Sequence, residues 1–267
     1  MSLTATILGC GSSGGVPRIG NDWGACDPGN PKNRRRRCSL LVERKGPDGV
    51  TRVLVDTSPD LREQLLDTGV DSLDGVLYTH DHADHTHGID DLRVLALMLQ
   101  RRIDVYHDAR TGAGLRERFG YCFQSPPGSL YPPILTAHEI DPSDPVIIDG
   151  AGGPIVAQPI VQVHGDILSL GFRFGDLVYS CDLSDIPETS LPWLRGVDLW
   201  IVDALRYKPH VSHFSVDDAL HWIQRIAPQR AILTNMHVDL DYEELSARLP
   251  DAVIPAHDGL RVVIDHD

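Results

Sequence analysis

The seven residues THDHADH, Thr79 to His85, place His80, His82, Asp84 and His85 at the end of the apolar run GVLYT (75–79). A short apolar run closed by polar residues reads as a buried strand, so the four donors gather in the turn that ends it. His80 and His82 are two apart, and extended backbone turns both toward one point. Asp84 and His85, past the turn, reach a second point close by. Imidazole with carboxylate suits zinc, and manganese or iron where oxygen donors dominate. The competing reading is a solvated loop that is histidine-rich by chance. Three more donors at strand ends weigh against it: His164 closes PIVAQPIVQV (154–163), Asp182 follows LVYSC (177–181), and His237 lies just past RAILTN (230–235).

The rest of the chain bounds what such a cluster serves. With 267 residues, 42% apolar and 23% charged, the composition is that of a globular protein, and one domain over 1–267 is the default. A formal charge of -14 opposes nonspecific binding to nucleic acid or an anionic membrane. It leaves room for a small anion in a cleft where bound cations supply the positive charge. Five cysteines without a CxxC pair fit reduced thiols in the cytoplasm. The start MSLTATILGCGSSGG has no leader pattern, and apolar runs such as 94–99 fall far short of the ~18 residues that span a bilayer. A cytoplasmic protein is expected, with a homodimer as the commonest default assembly.

Thirteen β-type runs alternate with helical periodicity at 59–67 (after Ser58 as N-cap), 89–101, 110–119, 216–226 and 242–249. Each half of the chain interleaves strands with helices, which favours a layered α/β body over an all-β sandwich. The Pro- and Gly-rich stretch 120–145 is expected to be a mobile loop or lid. Asp56, ending RVLVD (52–56), serves equally as a turn residue or as the partner that orients a ligand imidazole. The run Arg34–Arg37 is read as a solvated face, and Arg93, on the helix after the donors, as a reach toward a substrate phosphate.

His80, His82, Asp84 and His85 match the HxHxDH signature, and the chain resembles the metallo-β-lactamase superfamily over essentially its whole length. The resemblance implies a four-layer αββα sandwich with two divalent ions, zinc or manganese, on the edge between its sheets. His80, His82 and His164 would hold one ion, Asp84, His85 and a last histidine the other, and Asp182 would bridge. GCGSSGGVPRIG (9–20), DPGNPKNRRRRCSLLV (27–42) and THDHADHTHGIDDLR (79–93) are similar to the branch that hydrolyses phosphoribosyl cyclic phosphates, itself related to tRNA 3′-end nucleases. Relatives commonly place the last histidine directly after its strand. Here Asn235 stands there, so His237 is expected as the ligand and Asn235 as a support or substitute. Relatives also often carry several cysteines before the DPKNRR motif for a structural zinc, whereas NDWGACDP keeps Cys26 alone.

The branch further pairs an acidic residue after a strand with a histidine about ten positions on, matched by Asp203 and His213, with His210 a weaker match that reads as substrate-binding. The expected function is hydrolysis of a small phosphate diester, such as a cyclic ribose phosphate or a nucleotide-like molecule. Hydroxide activated by the ions, near Asp84 and Asp182, attacks phosphorus, and His213, oriented by Asp203, protonates the leaving alkoxide. The alternatives are a tRNA 3′ endonuclease, which needs a basic arm for its substrate, and a nucleotide-binding module whose metal site has decayed.

Overall fold

Strand β2 (Ser39–Gly46) begins with SLLV, four residues all buried. Leu40 and Val42 face one way and Leu41 the other, so the strand is covered on both sides. That double burial runs through the fold. The computed structural model describes residues 2–265. Strands β1 (Ser2–Gly9), β2, β3 (Gly49–Val55), β4 (Gly75–Leu77), β5 (Ile103–His107), β6 (Leu135–Glu139) and β14 (Arg261–Asp265) form one sheet, in the order β14-β1-β2-β3-β4-β5-β6. Strands β7 (Val146–Ile148), β8 (Ile155–His164), β9 (Ile167–Phe174), β10 (Leu177–Ser180), β11 (Leu199–Asp203), β12 (Arg230–Thr234) and β13 (Val253–Pro255) form the other, in the order β13-β12-β11-β10-β9-β8-β7.

The two sheets share one plan. The first is antiparallel from β14 to β3 and parallel from β3 to β6. The second is antiparallel from β7 to β10 and parallel from β10 to β13. Their inner faces meet in one core, where Ile7, Leu40, Val42 and Val55 join Phe172, Phe174, Tyr179 and Val202. Outside the first sheet, Leu8, Leu41, Leu54 and Val76 pack against Leu61 and Leu65 of α1 (Leu61–Thr68), Leu92 and Leu95 of α3 (Leu92–Leu99) and Leu115 of α4 (Ala109–Phe123). Beside the second sheet lies α5 (Val216–Ile226), started by a reciprocal Ser215–Asp218 capping box and burying Val216, Ala219 and Trp222. This is the α/β sandwich of the superfamily, two mixed sheets flanked by helices. No helix among the described residues is long and apolar enough to cross a membrane.

Several local expectations are corrected. The stretch 120–145 is no continuous loop: α4 runs to Phe123 and LTAHE forms β6, paired in parallel with β5. Ser58 is not the N-cap of α1. Its Oγ accepts from the Asp60 amide, and the cap position falls to Asp60, whose carboxylate is taken by Arg37. The helix expected from residue 89 starts with a 3-10 turn, Ile89–Asp91, so α3 begins at Leu92. A short α2 (Ala83–Thr86) inside the metal-type motif carries Asp84 and His85 on one turn.

Backbone hydrogen bonds stitch the sheets together along one edge. Leu170 of β9 donates its amide to the carbonyl of Thr79 beyond β4, and Ser12 beyond β1 donates to Met236 beyond β12. Gly88 seats the motif against this edge: its amide reaches the Thr57 carbonyl, and a Cβ there would stand 2.0 Å from the Ser58 carbonyl oxygen. Gly88→Ala should therefore push α2 off β3 and cost about 1–3 kcal/mol by urea unfolding. Lowered metal retention by the same variant would place the displacement at the donor loop.

Candidate metal centre

The polar residues that end the strands converge on that edge, at the carboxyl ends of the parallel strands where open α/β sheets form their crevices. Asp56 follows β3, His80 follows β4, His164 ends β8, Asp182 lies two residues past β10, Asp203 ends β11 and Asn235 follows β12. Asp56, Asp182 and Asn235 adopt left-handed backbone, with φ of 63°, 53° and 60°. Asp and Asn tolerate that region better than other non-glycine residues. In each case the side chain is hydrogen-bonded within the centre.

Asp182 lies where donors from both sheets meet. Its Oδ2 is 3.7 Å from Nε2 of His80 and of His164, and its Oδ1 is 3.3 Å from Nε2 of His85. Nδ1 of His82 stands 3.3 Å from Nε2 of His164, and Asp84 Oδ2 is 3.5 Å from His85 Nε2. Two ligands each ~2.1 Å from an ion at a tetrahedral angle are ~3.4 Å apart. The observed separations suit donors that share ions. One atom each from His80, His82, His164 and Asp182 falls within a 4.8 Å group, and a second such group is formed by His85, Cys181 and Asp182.

The supporting contacts fix which nitrogen each ring presents. His85 Nδ1 donates to Asp56 Oδ2 at 2.7 Å, and His164 Nδ1 donates to the Ser212 carbonyl at 2.7 Å. His80 Nδ1 donates to Thr79 Oγ1 at 3.0 Å, and that hydroxyl donates onward to Asp56. In all three rings the Nε2 lone pair is left facing inward. Nε2 of His80 and of His85 is buried with no hydrogen-bond partner, a costly condition for neutral groups that a cation relieves. Gly165, at φ 62° in the β8–β9 hairpin, keeps space for the Ser212 segment, since a Cβ there would stand 2.8 Å from the Ser212 Cβ. The donor set therefore fits divalent cations, as the fold implies.

The electrostatics agree. Burial, with His85 nearby, drives His80 well below the usual histidine range, and burial lowers His164, so both present lone pairs. Burial opposes charge on Asp182, but His85, His213 and His80 outweigh it and hold that carboxyl well below its usual range. His85 is raised well above the usual range because Asp182, Asp84 and Asp56 overcome its burial. These carboxylates attract positive charge whether it comes from a proton or an ion.

His213 stands beside the donors, with Nε2 3.9 Å from Asp182 Oδ2 and Nδ1 donating to Asp203 Oδ2 at 2.8 Å. Asp203 is wholly buried, which raises its carboxyl to about 6 although His213 pulls it down. Burial works against the His213 cation, but Asp203 outweighs it and lifts the imidazole to about 9. His210 lies 5.2 Å from His213, ring centre to ring centre. Ser12, Ser13 and Arg206 complete the walls of a cavity of about 290 Å³ over the centre.

Other expected residues stand apart. His237 lines that cavity, but its Nε2 faces Arg18 Nη1 at 3.1 Å and its Nδ1 lies 3.3 Å from Asp239, so the structure does not bring it among the donors. Asn235 is closer in, donating from Nδ2 to Asp182 Oδ1 at 3.0 Å. Arg93 pairs with Asp90 and lines a separate cavity with Tyr121 and Tyr131, away from the donors. The Arg34–Arg37 run is not a solvated face: Arg35 is 1% exposed and donates to the Leu240 carbonyl, Arg36 pairs with Asp67 and Asp258, and Arg37 with Asp60. Thr79, Ser212 and Cys181 had no role in the sequence reading. Thr79 and Cys181 each immediately precede a donor, which was a usable signal, whereas the Ser212 carbonyl had none.

The family described as Beta-lactamase superfamily domain matches residues 51–236. A crystal structure described as a new diphosphatase from the PhnP family is 35% identical, covers 99% of this chain and 98% of its own, and superposes with a TM-score of 0.88. The chain belongs to the metallo-β-lactamase superfamily and, within it, to the PhnP family. It is a metal-dependent hydrolase. Short-form human tRNase Z is similar in fold, at 16% identity over 97% of this chain and 98% of that one, with a TM-score of 0.66. A Porphyromonas gingivalis octanoyltransferase is 34% identical over 98% of this chain, which spans about half, 52%, of that protein's length.

Two measurements probe the centre. Asp56→Asn should weaken divalent-ion binding about 10–100-fold, read by competition with a chelator while circular dichroism stays unchanged. In metal-free protein His213 should titrate near pH 9 by NMR. Asp203→Asn removes the charge that raises it, so its titration should move down, toward or below the ordinary histidine value.

Proposed function

We propose that the chain hydrolyses a small phosphate diester, a cyclic ribose phosphate or a nucleotide-like molecule, with two divalent ions, zinc or manganese. His80, His82, His164 and Asp182 would hold one ion, and Asp84, His85 and Asp182 the other. The observation that carries the reading is the Asp203–His213 pair, a proton donor whose Nε2 is 3.9 Å from the carboxylate between the two donor groups. Bound ions in such a centre supply Lewis acidity toward phosphoryl oxygens and activate water as a nucleophile near neutral pH.

The chain's own residues do the rest. Asp203 fixes the His213 ring through Nδ1–H, so the Nε2 proton points into the cavity for an alkoxide leaving group. His210 and the Ser12 and Ser13 hydroxyls line the same cavity and are placed to contact phosphate or sugar oxygens. The 35% identical diphosphatase supports phosphoryl chemistry at this centre. Imidazole, carboxylate and hydroxyl walls suit a phosphorylated substrate better than an octanoyl chain. A net charge of -14 argues against tRNA as the substrate.

The test is turnover of bis(p-nitrophenyl) phosphate, ribose cyclic phosphates, 2′,3′-cyclic nucleotides and precursor tRNA by protein purified without chelator. Turnover of the small diesters is expected, and cleavage of precursor tRNA alone would overturn the reading. His213→Ala should lower kcat about 10²–10⁴-fold on diesters with alkoxide leaving groups. It should have much less effect with p-nitrophenolate, which leaves without a proton. Equal losses on both would remove His213 from the acid role.

A further inference from the structure

The second donor group, around His85, lacks a histidine after β12: Asn235 occupies that position and His237 is turned to Arg18. Cys181 lies against it. The side chain is wholly buried, and Sγ stands 2.9 Å from Asp182 Oδ1. Sγ, a ring nitrogen of His85 and an Asp182 carboxylate oxygen all lie within 4.8 Å of one another. His85 Nε2 is itself fully buried without a hydrogen-bond partner and faces this group, and Asp84 Oδ2 is 3.5 Å from it. Asn235 meets this group through its Nδ2, which donates to Asp182 Oδ1, while its Oδ1, 3.9 Å from Cys38 Sγ, is turned to that thiol.

We infer that Cys181 ligates the second ion through sulfur, with Asp84, His85 and Asp182, and that this ligand makes the position selective for zinc over manganese. The inference rests on the two-ion reading of the centre. One sulfur, one imidazole nitrogen and two carboxylates form a donor set of the type zinc takes. Manganese favours oxygen ligands, and thiolate is the softer partner that biases the choice. As the sulfur–metal bond forms the S–H bond breaks, and the proton passes to solvent. The bound thiolate is anionic and takes the place of the missing neutral imidazole.

The full chain, stripped of metal and titrated with Co²⁺, tests this without reference to activity. A near-ultraviolet sulfur-to-cobalt charge-transfer band should grow with the second equivalent of ion. The band should vanish in Cys181→Ser and persist in Cys38→Ser, whose thiol is buried nearby. In Cys181→Ser the second zinc should bind about tenfold or more weakly, and its advantage over manganese should shrink. Two cobalt ions bound without the band, or a band that survives Cys181→Ser, would overturn the thiolate ligand and leave the two-ion reading standing. Uptake of a single ion without the band would overturn both. The wild-type spectrum carries the test even if the serine variant fails to fold.

Discussion

The metal centre depends on one buried carboxylate. Asp182 is 3% exposed, and a charge so enclosed is costly unless opposite charge compensates it. Around it stand His80 and His85 from the first sheet and His164, His213 and Asn235 from the second. Four imidazoles this close would repel if all were charged, and burial keeps His80 and His164 neutral with lone pairs presented, while the carboxylates favour positive charge at His85 and His213. The left-handed backbone at Asp182 aims its side chain at both donor groups at once.

The similar plan of the two sheets explains how distant residues arrive together. Asp56 follows the first strand of one parallel series, and Asp182 follows the first strand of the other. Both are left-handed and both accept hydrogen bonds within the centre, yet their tasks differ. Asp56 reaches back to Thr79 and His85 and fixes ring orientation, whereas Asp182 points forward into the cluster of imidazoles. The Leu170–Thr79 and Ser12–Met236 backbone bonds hold the sheet edges at the spacing this division requires.

Much was legible because donors at strand ends leave a local signature. His80, His82, Asp84 and His85 share one turn, and α5 matches its expected span, 216–226. Failures came where tertiary partners override local pattern. LTAHE lies among prolines and reads locally as loop, but β5 offers it a free edge and pairs it as β6. The Arg34–Arg37 run looked like a solvated charge face, yet carboxylates at 60, 67 and 258 and the Leu240 carbonyl draw three of its members inward.

From the sequence's own pattern came the donor types, their placement at strand ends and the layered α/β body, which follow from composition, periodicity and motif and are local. The pairing of Asp203 with His213 came with the family resemblance. The tertiary structure decided which nitrogen each imidazole presents, that His237 turns to Arg18, and that Cys181 is grouped with His85 and Asp182. Those depend on hydrogen bonds between residues far apart in the chain, such as Asp56 with His85 and Ser212 with His164. A ring's direction is set by the partner on its other nitrogen, and only the packed sheets bring that partner near.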